Sequence, residues 1–391
     1  MNASRFVRVA LVLGSAAGVV IPVMMTTDGH AIERTFSGSA QLDYLLVATE
    51  PEARDFTFDG FTTELSLKAN IDVNDHLAFS VKACYGCHGF EMGMAYMDVR
   101  VNDSLTIRAG RFTPSFGDFP DRHDPANHRT SDKPLPYDMG RMLRLREWNN
   151  SVLPAPYVDN GVELRGTFAL GEHVDLDYAA YAVGGLRGPS DAMDVDFIAS
   201  RSPNAHYYYV DNNSQPTAGG RLALATRFGD GLGVLTVGAS GMWGRYDPES
   251  QLDVLILGAD LVLKVERWVL RMEYLARYTE MSLGDTPETS LIYGPGPDGY
   301  DEGSLKEGWY AETEYPVYTG LDLVARFDGL RRRGNVAEGS ALRSDSIILR
   351  YTLGLAWSPM TWLRIKASVE FYDFSDFADE TAVHLGIVGT F

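Results

Sequence analysis

The sequence predicts an all-β chain closed into one transmembrane antiparallel barrel of about sixteen strands. Three observations carry this. Residues alternate apolar and polar over long runs, the runs mostly reach about ten residues with tryptophans near their ends, and the connections alternate short and long. A soluble sandwich also alternates, so run length and the pattern of connections make the choice.

The alternation is clearest in three stretches. Phe61, Thr63, Leu65, Leu67, Ala69, Ile71 and Val73 share one face, with Thr62, Glu64, Ser66, Lys68, Asn70 and Asp72 on the other. Leu363, Ile365, Ala367, Val369 and Phe371 oppose Arg364, Lys366, Ser368 and Glu370. Trp268, Leu270, Met272, Tyr274 and Tyr278 oppose Arg267, Arg271, Glu273 and Arg277. In order, the strands are read at 36–48, 57–73, 76–84, 88–101, 104–113, 158–170, 173–186 and 217–228. The series continues at 232–246, 252–264, 266–280, 307–315, 319–331, 344–358, 361–374 and 380–391. Tight turns fall at Asn74-Asp75, Asn102-Asp103, Gly171-Glu172, Gly229-Asp230-Gly231, Val265-Glu266, Tyr315 to Thr319 and Pro359-Met360. Long connections fall at 113–157, 187–215, 282–305 and 332–343. Short turns at one rim and long loops at the other orient the barrel, with the short turns periplasmic. Trp243, Trp268, Trp357 and Trp362 suit the interfacial girdles.

The composition agrees. The chain carries 53 acidic and 34 basic residues, and without residues 1–31 it has 52 and 32, a net charge of −20. That argues against nucleic acid or an anionic membrane surface as partner. Residues 1–31 read as a secretory signal: Arg5 and Arg8, an apolar region from Val9 to about Met25, then Gly29-His30-Ala31. The remainder, 32–391, is expected to be a single barrel domain. No later segment approaches the ~18 unbroken apolar residues of a spanning helix, so any membrane crossing is by strands.

The most specific motif is Cys84-Tyr85-Gly86-Cys87-His88, which holds the only 2 cysteines. Its C-x-x-C-H spacing is that of covalent haem attachment, in which two thiols take up the vinyl groups and the adjacent imidazole ligates the iron. The expectation is one haem c on Cys84 and Cys87, with His88 as proximal ligand. His123, His128, Met92 and Met94 are candidates for the distal position. The alternative is a Cys84–Cys87 disulfide closing a hairpin. Parity across this hairpin puts Leu77, Phe79, Val81, Ala95, Met97, Val99 and Val101 toward lipid. His76, Lys82, Cys84, His88, Met92, Met94, Tyr96 and Asp98 fall toward the lumen, so the group would hang inside the outer mouth.

Two resemblances add to this reading. The last run, with Val383, Leu385, Ile387, Gly389 and Phe391 on one face, resembles the carboxy-terminal signature of Gram-negative outer-membrane proteins. Leu105 to Gly117, LTIRAGRFTPSFG, resembles the strand-to-loop junction of the phosphate-selective porins, and sixteen strands is similar to general porins, whose third loop folds into the channel. The resemblance implies a pore constriction formed by loop 113–157, with Arg108, Arg111, Arg141, Arg144 and Arg146 as candidate lining residues. It also implies small solutes or anions as cargo, the outer membrane as location, and a homotrimer as an assembly. Arginine forks suit oxyanions, whereas a salt-bridged loop plug is the bland alternative.

No nucleophile elbow, H-E-x-x-H or phosphate loop is present, so the chain is not read as a hydrolase or transferase. A haem would make it an electron-transfer protein with periplasmic or extracellular redox partners. The glycines around Gly229 to Gly233 join two alternating runs and read as a hairpin turn. Pro295-Gly296-Pro297-Asp298-Gly299 marks a loop tip, and Arg331-Arg332-Arg333 reads as the solvated start of an external loop.

Overall fold

Alternating side chains give a strand one apolar and one polar face, and closing such strands on one another is how lipid can meet the first and water the second. In a computed structural model the chain takes this solution: sixteen antiparallel strands pair in a closed ring. The structure describes residues 32–48, 60–86, 89–138, 151–187, 198–199, 211–280, 303–333, 346–375 and 378–391. The expected leader at 1–31, and with it Cys87, His88, Arg141, Arg144 and Arg146, lies outside these residues.

The first eight barrel strands are β1 (Glu33–Val47), β2 (Gly60–Asn74), β3 (Leu77–Gly86), β4 (Gly89–Asn102), β5 (Leu105–Phe112), β6 (Asp159–Ala169), β7 (Val174–Val183) and β8 (Thr217–Phe228). The remaining eight are β9 (Gly233–Arg245), β10 (Asp253–Val265), β11 (Trp268–Glu280), β12 (Gly303–Tyr318), β13 (Leu321–Arg333), β14 (Ser346–Met360), β15 (Leu363–Phe374) and β16 (Glu380–Thr390). Consecutive strands pair as neighbours, and β1 closes on β16 with Leu42 opposite Ile387 and Leu46 opposite Val383.

Burial runs opposite to that of a soluble protein. Leu67, Leu257, Leu353 and Leu385 lie on the outer face with more than half of their surface open. Arg350, Asp328 and Glu370 point inward and are fully covered. An outward apolar surface around the whole ring belongs in a bilayer, and the barrel is of the outer-membrane type. The tight turns use local side chains: Asn74 Oδ1 accepts from the His76 amide at 2.9 Å and Asn102 Oδ1 from the Ser104 amide at 2.9 Å.

Three details depart from the sequence reading. Strand β12 begins at Gly303, not 307, and runs on to Tyr318 past Pro316, where the register slips. Proline lacks the ladder donor and is accommodated at such an irregularity. Leu186–Arg187 and Ile198–Ala199 form a small ribbon of their own in a connection read as loop. Between β3 and β4 the register shifts, so that Met94 stands opposite Lys82 but Met92 opposite Ala83. A bulge of this kind interrupts strict alternation at the residues it spans.

Candidate functional site

Segment 113–157 leaves the end of β5 and, over its described residues, folds inside the barrel. Two short turns punctuate it, Phe119–Arg122 and Leu135–Tyr137. Phe116, Phe119, Leu135, Tyr137, Val152, Leu153 and Tyr157 pack into one cluster with Leu275, Tyr310, Leu330, Ile348 and Tyr372 of the wall. Apolar burial of this size holds a long connection in one path, as the prolines of the segment also favour.

The entry to the loop depends on two glycines. Gly110 has φ +129° and an added Cβ would lie 2.4 Å from the Ala95 carbonyl oxygen. Gly117 has φ +63°, and a Cβ there would lie 2.4 Å from both Glu273 Oε2 and the Tyr137 hydroxyl. Gly110 lets β5 pack closely on β4 just before the loop, and Gly117 lets the chain turn inward.

Wall charges then fasten the loop. Glu273 accepts four hydrogen bonds: from the amides of Asp118 (3.1 Å) and Phe119 (2.9 Å), and from the hydroxyls of Tyr137 (2.6 Å) and Tyr310 (2.5 Å). Asp328 Oδ2 accepts from the Leu135 amide at 3.0 Å. The wall cations donate to loop carbonyls. Arg277 reaches Ser151 (3.2 Å) and Val152 (3.0 Å), and Arg326 reaches Asp132 (3.2 Å). Arg350 reaches Lys133 (2.6 Å), Arg364 reaches Ala126 (2.5 Å), and Lys366 reaches Pro125 (2.6 Å) and Thr130 (3.0 Å). Arg350 also pairs with Asp328 at 2.5 Å and Asp132 at 3.4 Å, and His384 lies 3.2 Å from Asp132. Each of these desolvated contacts is costly to break because it would strand a buried polar group, which makes the network a specific clasp.

Most of the fasteners belong to β11–β16; at the loop entry Glu163 of β6 accepts from the Ser115 amide at 2.8 Å and Ser240 of β9 from the Gly117 amide at 3.0 Å. Toward β1–β5 the described residues leave a space. A cavity of about 390 Å³ runs between the loop tip and β1–β5, lined by Lys68, Lys82, Met94, Tyr96 and Arg108 of the wall and by Pro120, Asp121, His123, Asp124 and Asn127 of the loop. Ser37, Gly38, Thr390 and Phe391 line its lower end. The wall is cationic and the loop anionic across it. Lys82 is bound to Asp124, and Arg108 makes a two-point contact with Asp98 at 2.8 and 2.9 Å while lying 4.2 Å from the Tyr96 ring centre.

His123 sits where loop and wall meet. Its Nδ1 is 2.6 Å from the Pro120 carbonyl, which can only accept, so the proton is on Nδ1 and Nε2 accepts from Lys82 at 3.0 Å. Burial and the Lys82 ammonium push the imidazole down to about 4, so it is neutral in ordinary conditions. His128 donates Nδ1–H to the Thr130 carbonyl at 2.9 Å, and burial, reinforced by Lys366, likewise keeps it neutral. Burial and the Glu370 charge push Asp132 up to about 7.

The residues singled out from sequence therefore separate. Arg108, Met94 and His123 line the cavity. Arg111 is buried near the top of β5, opposite Asn160, and is not among the lining residues. His128 is packed beneath the loop, its ring 5.9 Å from that of Phe119. Cys84 lies on the inward row of β3 with Ser80 and Lys82, opposite Glu91 of β4. Lys68, Lys82, Glu273, Asp328 and Arg350 were missed as site residues. Their only signal was a charge at an inward position of an otherwise regular strand.

A closed sixteen-strand barrel whose third outer-rim connection, after those of β1–β2 and β3–β4, folds inward is a porin fold. No family model matches the sequence, and no curated protein does. Solved structures match by shape. OmpF of Salmonella typhi aligns with TM-score 0.55 at 11% identity over 92% of this chain and 97% of that one. An anion-selective porin from Comamonas acidovorans aligns at 0.54 and 11% identity, covering 92% and 100%. OmpT of Vibrio cholerae in a trimer form aligns at 0.52 and 11% identity, covering 93% and 100%. At these identities the likeness establishes the fold.

Proposed function

We propose that the barrel is a passive channel for small hydrophilic solutes, with the passage confined to the gap between the loop tip and β1–β5. The observation that carries this is the cavity of about 390 Å³ bounded by Lys68, Lys82 and Arg108 on one side and Asp121 and Asp124 on the other. Because Lys82 and Arg108 each face a carboxylate, the passage offers a transverse field and little net charge. It orients polar solutes without strongly favouring either sign. In planar bilayers the protein should form open pores whose anion-to-cation permeability ratio lies within about threefold of unity. Absence of conductance would refute the channel, and a strong anion preference would instead favour the oxyanion reading from the arginines. A trimer, as in the Vibrio cholerae structure so described, would show as conductance in steps of three.

A second reading concerns the mouth. We infer a c-type haem on Cys84 and Cys87 with His88 on the iron, where it would supply a one-electron couple. The inward position of Cys84 at the top of β3 supports this, since a group carried there meets the lumen and not lipid. Among the distal candidates Met94 and His123 line the cavity, and the Met94 sulfur takes a weak contact from the Thr113 hydroxyl at 3.9 Å. His123 would first have to release Lys82. A covalent-haem stain on the outer-membrane fraction decides it. Staining that is lost in a Cys84→Ala, Cys87→Ala pair supports haem, and a thiol count that rises on reduction supports the disulfide.

A further inference from the structure

At the seam of the barrel, where β15, β16 and β1 meet, titratable side chains gather under the loop in an arrangement that fastening alone does not explain. Alternation puts Glu370, His384 and Asp43 on the inward rows of these three strands, and all three are buried. Ser368 stands opposite His384 and Gly386 opposite Asp43, so Glu370 and Asp43 lie diagonally across from the histidine, one on each side. The loop brings a fourth group, Asp132. Gly386 makes room for it: a Cβ there would lie 2.8 Å from both Asp43 Oδ1 and Ser131 Oγ. The Asp132 carbonyl accepts from the Thr130 hydroxyl at 2.8 Å and from Arg326 at 3.2 Å, which fixes the backbone that carries the carboxylate.

The distances are those of a ligand set. His384 Nε2 lies 3.2 Å from Asp132 Oδ2 and 3.5 Å from Glu370 Oε2, and one ligand atom from each of the three residues falls within 4.8 Å of the other two. Ligands about 2.1 Å from a tetrahedral ion stand about 3.4 Å apart. The other ring nitrogen, Nδ1, is 3.3 Å from Asp43 Oδ2, an acceptor, so it carries the proton and the Nε2 lone pair faces the two carboxylates. A carboxylate behind the remote nitrogen is how metal-binding imidazoles are oriented. Asp132 Oδ1 and Glu370 Oε1 are buried and take no hydrogen bond among the described residues, the nearest cation to the latter being Arg326 Nη2 at 4.0 Å.

Two guanidiniums border the group. Arg350 Nη1 lies 3.4 Å from Asp132 Oδ2 and 3.6 Å from Glu370 Oε2, but its short contacts go to Asp328 at 2.5 and 2.9 Å and to the Lys133 carbonyl at 2.6 Å. Arg326 pairs with Asp328 and Glu312, each at 3.2 Å, and Tyr372 donates to Glu370 Oε2 at 2.9 Å. An imidazolium among three carboxylates is the alternative, and it leaves the two spare oxygens unused. A divalent ion is balanced by Asp132 and Glu370 beside a neutral imidazole, and can engage those oxygens. We propose that Asp132, Glu370 and His384 bind one divalent transition-metal ion of the zinc class, with Asp43 orienting the imidazole, and that the ion ties the loop to the wall at the seam. A hard ion such as calcium takes about six to eight oxygens, more than this group offers, and imidazole suits zinc and its neighbours.

The test uses the whole folded barrel carrying Cys84→Ala and Cys87→Ala, so that neither thiol can hold metal. The protein is stripped with a chelator, freed of it, and dialysed against zinc or cobalt, and bound metal is counted by elemental mass spectrometry. One zinc per chain should bind, and cobalt should give the intense visible bands of a tetrahedral site. His384→Gln should weaken zinc binding by about a hundredfold or more and abolish the bands, and Glu370→Gln should act in the same direction. Asp43→Asn, which touches only the remote ring nitrogen, should weaken binding by about tenfold and keep the bands. His76→Gln, an exposed histidine next to a tight turn, should change neither. Heat-modifiable gel mobility checks that each variant is folded, and the cobalt spectrum of the parent needs no variant. Failure of the parent to bind zinc overturns the proposal, as does equal binding by folded His384→Gln or the weak spectrum of six-coordinate cobalt.

Discussion

The two halves of the lumen carry similar charges and use them differently. On β11–β16 the inward charges reach the loop: Glu273 gathers four donors from loop and wall, and Arg277, Arg326, Arg350, Arg364 and Lys366 end on loop carbonyls. On β1–β5 the inward charges face the cavity, with Lys82 bound to a carboxylate on the loop tip and Arg108 to one on its own wall. A charge in a barrel interior is therefore not by itself a pore-lining charge. Its partner decides whether it holds structure or meets solute.

The largest expected effect comes from breaking the fastened half. Glu273→Ala strands two tyrosine hydroxyls and two loop amides in a dry site, at a cost of about 3–5 kcal/mol. The loop should become cleavable by protease and single-channel conductance should rise, while the barrel itself stays folded. Arg350→Met keeps the bulk but removes the cation that Asp328 and Asp132 share, leaving Asp328 with Arg326 and Asp132 with His384, and should act in the same direction at about 3 kcal/mol. Gly117→Ala imposes a side chain on a left-handed residue that abuts Glu273, and should cost about 1–3 kcal/mol by the same protease assay. If these three leave protease sensitivity and conductance as they were, the clasp is decorative.

The open half should answer to pH and to charge reversal, and more gently. His123 is held near 4 in the folded loop against an ordinary value of 6.5, so the unfastened loop takes up the proton first. Stability of the tip is complete above about pH 6.5 and declines as pH falls toward 4. Conductance noise should grow over that window, and His123→Gln should flatten it. The smallest effect is expected from Lys68→Glu, which alters one lining charge of the cavity: a shift toward cations of about threefold with no change in thermal stability.

The sequence made the barrel legible because alternation is local. Leu65 against Glu64 and Ile365 against Lys366 state which face meets lipid without reference to any distant residue. The short turns were legible for the same reason, since Asn74 and Asn102 bond to amides two residues on. Local pattern cannot say which inward charge meets which part of a loop. The contact from Arg364 to the Ala126 carbonyl spans 238 positions, and that from Lys366 to Pro125 spans 241. Loop 113–157 stands out in the sequence for its length and prolines, but nothing local in it points to the wall arginines that bind its described residues. The register slip opposite Lys82 and Ala83 left no mark in the alternation, while the faces read for Met94, Tyr96 and Asp98 against Met97 and Val101 hold beyond it.

The account turns on where water and solute pass, and cysteine accessibility measures that directly. In a Cys84→Ala, Cys87→Ala background, Lys68→Cys lies on the cavity and Ser368→Cys lies on β15 under the loop, only 6% exposed. A bulky water-soluble thiol reagent should react with Lys68→Cys and cut single-channel conductance, and should leave Ser368→Cys unmodified and fully conducting. Block through Ser368→Cys, with Lys68→Cys unaffected, would put the passage on the other side of the loop and contradict the division of the lumen.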